Sequence, residues 1–148
     1  MTELTLPPYP FKLKTVNQQT QIFDEVRKRW YICTPEEWVR QHVVMFLNLH
    51  FSYPLGLFAL EKSLQFKGMK RRTDILMYNA KGEAKLLVEC KAPEIALNQD
   101  VLDQAARYNM TLDVPFILIT NGLQHYCLSV NKDNKVKYLD AIPHFSEL

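Results

Sequence analysis

Thr73-Asp-Ile-Leu-Met-Tyr-Asn-Ala-Lys-Gly-Glu-Ala-Lys-Leu-Leu-Val-Glu-Cys-Lys-Ala-Pro93 reads as two strands, a polar turn between them and a proline stop. A loop of two residues (Lys81-Gly82) or of four (Ala80 to Glu83) centres the hairpin at one point and sets Asp74 opposite Glu89. A loop of odd length would shift the register by one residue and send Asp74 to the other face. Side chains alternate along a strand, so Lys91 shares the face of Glu89 while Val88 and Cys90 point the other way. The even register therefore gathers two carboxylates and one amine into one patch.

Opposed carboxylates on a half-buried face repel and cost free energy unless something neutralises them. A divalent cation would do so, and Mg²⁺ commonly takes one or two carboxylates with water and substrate phosphate completing its shell. Asp74 and Glu89 supply that number, and Lys91 stands where an attacking water would be oriented or deprotonated. The ordinary alternative is an exposed Glu89–Lys91 pair contributing roughly 0–1 kcal/mol. Downstream, Asn98 caps a helix to about Leu112 with an apolar stripe of Val101, Ala105, Tyr108 and Leu112. Gln104 and Tyr108, four apart, occupy neighbouring positions on one helix face.

Asp74, Glu89-Cys-Lys91 and Gln104-x-x-x-Tyr108 together resemble the PD-(D/E)xK nuclease superfamily, in the branch with a Gln-x-x-x-Tyr helix after the catalytic strand. The segments Lys70 to Leu76, Leu86 to Pro93, Asp103 to Asn109 and Thr120 to Cys127 are similar to the N-terminal nuclease domain of type I restriction enzyme R subunits. Thr34 to Gln41 looks like that family's first helix, and the likeness runs from about Ile22 to Asp140. Thr73 stands where the family often has proline. The resemblance implies a restriction-endonuclease-like α/β fold, a mixed β-sheet flanked by α-helices, and hydrolysis of DNA phosphodiesters. It implies Mg²⁺, or Mn²⁺ in its place, held by Asp74 and Glu89 with help from the Cys90 carbonyl. Lys91 would then serve the water, with Gln104 and Tyr108 orienting Lys91 or touching the DNA backbone.

The first helix of such enzymes often supplies a further acid, which here would be Glu37, with Glu36 as its substitute. Thr34-Pro-Glu-Glu37 is equally a helix start, with threonine cap, proline at the first position and glutamate three residues after the cap. That helix should run to about His50 with Val39, Val43, Phe46 and His50 along one stripe. Lys67, Lys70, Arg71 and Arg72 lie just before Asp74, where phosphate has to approach, and are candidate nucleic-acid contacts. His125, on a hairpin strand without an acidic partner in sequence, reads as structural.

At 148 residues and 47% apolar, the chain suits one domain, residues 1–148, with 1–16 an extended arm carrying three prolines. Gln18 to Ile32 is ambiguous. Leu57 to Phe66 reads as the first core strand, with Glu61 facing solvent or a lysine, and Pro115 to Thr120 as a buried strand after a crossover. Asn121-Gly122 turns into Leu123 to Val130, and Asn131 to Asn134 into Val136 to Leu139. A net charge of +2 does not by itself indicate nucleic-acid binding.

Three cysteines argue against a closed disulfide framework, no signal pattern or apolar run of membrane-spanning length occurs, and a cytoplasmic protein is expected. No phosphate-loop motif is present, so no ATP site is expected in this chain. The expected partners are DNA and, because cutting both strands needs two sites, a second copy or restriction and motor subunits. The rival reading is a non-cleaving DNA-binding or subunit-docking module that keeps the nuclease fold.

Overall fold

Residues 1–148 are described by a computed structural model, the side chain of Phe66 left aside. The two strands of the opening hairpin are β7 (Ile75–Tyr78) and β8 (Ala84–Cys90), paired antiparallel with Ile75 opposite Val88 and Met77 opposite Leu86. The loop between them, Asn79 to Glu83, is odd, unlike either length that favours the Asp74–Glu89 pairing. Asn79 closes it: its side-chain oxygen accepts from the Lys81 and Glu83 N–H groups, and Gly82 takes φ +80°. A bulge then restores the register, because Tyr78 pairs with Ala84 while Met77 pairs with Leu86, leaving Lys85 as the extra residue. Continuing the pairing by one step sets Asp74 opposite Glu89.

These strands lie inside a six-stranded mixed sheet ordered β11-β10-β9-β8-β7-β4, with β4 at Phe58–Leu60, β9 at Phe116–Thr120, β10 at His125–Val130 and β11 at Val136–Leu139. Among the described residues only β8 and β9 run parallel, and the crossover that a parallel pair requires carries helix α2 (Gln99–Met110). Helix α1 (Pro35–Phe51) packs on the opposite face. Alternation sorts the core accordingly. Ile75, Met77, Leu86, Val88 and Leu118 join Val39, Val43 and Leu47 on the α1 side. Leu76, Leu87, Ile117 and Ile119 join Leu102, Ala105 and Ala106 on the α2 side. Burial on both faces explains why β8 and β9 read as nearly continuous apolar runs. Among the described residues, no helix is long and apolar enough to cross a membrane.

Three departures from the sequence reading matter. The arm ends sooner than residue 16, because Leu13–Val16 is strand β1, which with β2 (Gln19–Asp24) and β3 (Arg29–Ile32) makes a three-stranded antiparallel sheet from the ambiguous segment. The arm itself straps α1 to the β9–β10 turn: Thr5 N–H donates to the Gly122 carbonyl, Trp38 Nε1 donates to the Thr2 carbonyl, and Phe11 packs on Trp38 and His42. With that cover, α1 is buried nearly all round rather than along one stripe. Finally, Leu57 to Phe66 is not one strand. Glu61 adopts φ +53° after β4, and the chain leaves the central sheet to form a separate two-stranded ribbon, β5 (Ser63–Phe66) and β6 (Met69–Arg72).

Candidate functional site

Sheet pleat places Asp74, Glu89 and Lys91 on the α2 side, where β7 begins and β8 ends. Asp74 is fixed from both directions. Its Oδ2 accepts the Cys90 backbone N–H at 2.7 Å, and its Oδ1 lies 3.2 Å from Arg40 Nη2. Glu89 Oε1 lies 3.4 Å from Lys91 Nζ, and their side chains are 21% and 36% exposed, enough to meet a ligand. Burial, then the Asp74 charge, pushes the Glu89 carboxyl above 4.5, with Lys91 pulling the other way.

An open cleft of about 350 Å³ joins Asp74, Glu89, Lys91, Gln104 and Tyr108, with Arg72 at its rim. The four-residue spacing on α2 thus delivers both helix side chains to the strand residues. The helix's buried face is Leu102, Ala105, Ala106 and Asn109, one position round from the expected stripe, which leaves Val101 and Tyr108 half-buried at the cleft. A second, wider cleft of about 930 Å³ shares Asp74 and Arg72 and is bounded by Glu36, Glu37, Arg40, Glu61 and the aromatic Trp30 and Tyr31.

Glu37 does not line the smaller cleft. Its backbone N–H donates to the Thr34 hydroxyl, the cap expected of this sequence, while its buried carboxylate takes Arg27, Arg40 and Gln41. Glu36 is linked to Asp74 through a shared partner: both meet Arg40 Nη2, at 3.5 and 3.2 Å. Burial and then the Asp74 charge raise the Glu36 carboxyl above 4.5, opposed by Arg40 and Lys91.

Arg40 and Glu61 are the residues that sequence reasoning missed. Arg40 is 5% exposed and touches Glu36, Glu37, Glu61 and Asp74. Glu61, expected to face solvent or a lysine, is instead held by three arginines: Arg27, Arg40 and Arg72. Burial alone would raise its carboxyl, but the Arg27 hydrogen bond and the Arg40, Arg27 and Arg72 charges hold it below 4.5. The only trace of this in sequence is Glu36-Glu37-x-x-Arg40, which reads equally as helix-surface pairing.

The basic cluster is divided by strand alternation. Arg71 turns inward, its guanidinium 4.2 Å from the Tyr108 ring centre, while Arg72 reaches Glu61 and Lys70 is exposed. His125 holds Thr120 Oγ1 at 2.7 Å and Thr5 Oγ1 at 3.1 Å, with both ring nitrogens spent on the arm and the turn.

No group of three or more His, Cys, Asp or Glu able to hold a metal occurs among the described residues. The two carboxylates at the strand ends are hard oxygen donors in the number Mg²⁺ accepts, and among the described residues Lys91 is the one cation ion-paired with Glu89.

A family model described as type I restriction enzyme R protein N terminus matches residues 35–143. Among solved structures, a chain described as a fragment of an HsdR subunit of a type I restriction enzyme from Vibrio vulnificus superposes with a TM-score of 0.50 at 22% identity. The match covers 71% of this chain and 22% of that one, so this chain spans about a fifth of its length. No curated protein matches.

Proposed function

The chain belongs to the type I restriction enzyme R protein N-terminus family, and from that premise we propose that it is a Mg²⁺-dependent DNA endonuclease domain. One observation carries the reading: Asp74, the residue before β7, and Glu89, near the end of β8, line one cleft with Lys91 beside Glu89, and Gln104 and Tyr108 complete it. Bound at Asp74 and Glu89, with the Cys90 carbonyl as a further oxygen, Mg²⁺ would polarise the phosphodiester and acidify a water. Lys91 orients that water and balances charge building on the phosphate. Tyr108, under the Arg71 guanidinium, and Gln104 line the wall along which the backbone lies, and Arg72 meets phosphate at the rim. Cutting both strands requires two such sites, which a second copy or another restriction subunit would supply. A restriction system acting on intracellular DNA would place the protein in the cytoplasm.

A second reading has its own support. Arg40 already neutralises Asp74 without any metal, as expected of a fold retained for DNA binding or subunit docking after loss of cleavage. Incubating circular and linear DNA with Mg²⁺ or Mn²⁺ separates the two, comparing the wild-type chain with Lys91→Ala and Asp74→Ala. Metal-dependent cutting lost in both variants is the expected result. A folded wild-type protein that binds DNA but cuts with neither metal would replace the nuclease by the docking module.

A further inference from the structure

The β5–β6 ribbon stands apart from the central sheet, and its two faces differ in chemistry. Pairing of Leu64 with Arg71 sets one face against α2: Leu64 packs into the α2-side core and Arg71 covers Tyr108. The other face carries the pairs Ser63–Arg72 and Gln65–Lys70, and all four residues are exposed. Lys67 and Gly68 form the tip, both with positive φ (+50° and +77°), the turn whose twist matches a two-stranded ribbon. From Lys62 to Thr73 there are five cations and no acid. Taking those five from the chain's net +2 leaves −3 for the remainder, so the chain's positive excess lies in this segment, where Arg71 also covers Tyr108 and Arg72 also pairs with Glu61.

Size and side-chain type both match one groove of duplex DNA. Four-residue strands give a ribbon roughly 13 Å long. The major groove, roughly 12 Å wide and 8.5 Å deep, admits a two-stranded ribbon. Arginine and lysine pair with guanine O6 and N7, glutamine with adenine N6 and N7, and serine with any base edge. Phosphates flank the groove on both sides, and Arg72, at the ribbon's root, is two residues from Asp74 and lines the cleft. A ribbon seated in the groove therefore leads an adjacent backbone toward the candidate site.

We infer that this ribbon enters the major groove of duplex DNA, with Gln65 and Lys70 at the base edges, Arg72 on the phosphate beside the cleft and Arg71 as the pillar fixing the ribbon to α2. The inference rests on the nuclease reading and names the element that engages the duplex, the β5–β6 ribbon.

The test measures binding of the full chain to a labelled duplex and to one of its single strands, with Ca²⁺ replacing Mg²⁺ so that cutting does not intervene. Dimethyl sulfate methylation of guanine N7 reports the major groove directly. Gln65→Ala with Lys70→Ala is compared with wild type and with Lys137→Ala, an exposed cation on β11 far along the sheet order, and circular dichroism verifies folding. The expected result is preference for duplex, protection of N7, and loss of about tenfold or more in duplex affinity together with that protection in the double variant alone. A duplex bound with N7 fully reactive, or a double variant binding like wild type, overturns the ribbon while leaving any metal-dependent cutting intact. Folded wild-type protein that binds neither form of DNA overturns the ribbon and the nuclease reading together.

Discussion

Replacing Arg40 with methionine removes the guanidinium while keeping most of the side chain's apolar length, and the structure shows which acids would be stranded. Glu37 retains Arg27 and Gln41, and Glu61 retains Arg27 and Arg72. Glu36 is nearly half exposed and loses little. Among the described residues, Asp74 alone loses its cation and keeps only the Cys90 N–H. Stranding one partner of a buried pair costs about 3–5 kcal/mol, and the surviving partners place this case near the lower end, about 3 kcal/mol. For a chain of this size that corresponds to a fall in Tm of about 6–12 °C. Urea and thermal unfolding followed by circular dichroism at neutral pH would measure it. Acid titration gives a second readout. Because the folded Glu61 carboxyl lies below its ordinary 4.5, its contribution is present above that value and is lost as pH falls through the folded pKa. With Arg40 gone that depression shrinks, so the variant's acid unfolding begins at higher pH. A loss under about 1 kcal/mol with an unmoved acid transition would refute the view that Arg40 neutralises this cluster.

Glu89→Gln removes a partly buried charge beside Asp74, so without divalent metal the variant should be more stable than wild type by roughly 1 kcal/mol, or about 2–4 °C in Tm. Added Mg²⁺ should raise the Tm of the wild type and not of the variant; equal shifts would remove Glu89 from the metal site. Gly122→Ala should destabilise by about 2 kcal/mol or more, since φ is +83° and the new Cβ would meet Leu4 at 2.7 Å and Val39 at 3.1 Å. Unfolding at wild-type denaturant concentration would show that the arm does not press on this turn.

Local regularities were legible in the chain itself. Thr34-Pro35 and Asn98 start the helices as expected, because capping needs only neighbouring atoms. Period-two alternation sets Glu89 and Lys91 together, and the four-residue spacing sets Gln104 beside Tyr108, because both follow from backbone geometry. The β7–β8 register, from Ile75 opposite Val88, is the one the even loops require, reached by another route, an odd loop whose shift the bulge at Lys85 cancels. Hairpin length alone does not fix register when the strand can bulge.

What tertiary structure decided lies in contacts between segments distant in sequence. No periodicity announces that Arg40 is buried. That depends on Asp24 and Arg27 of the N-terminal segment and on Glu61 arriving 21 residues later, each charge tolerable only because the others are present. Nor does the run Leu57 to Phe66 disclose its break, since Glu61 takes φ +53° where three arginines converge on it. That break releases the ribbon from the sheet. Short-range sterics and hydrogen bonding, written in the chain, set which side chains share a face; the fold set which faces meet and which charges are shared, because desolvation and Coulomb energies depend on everything packed around them.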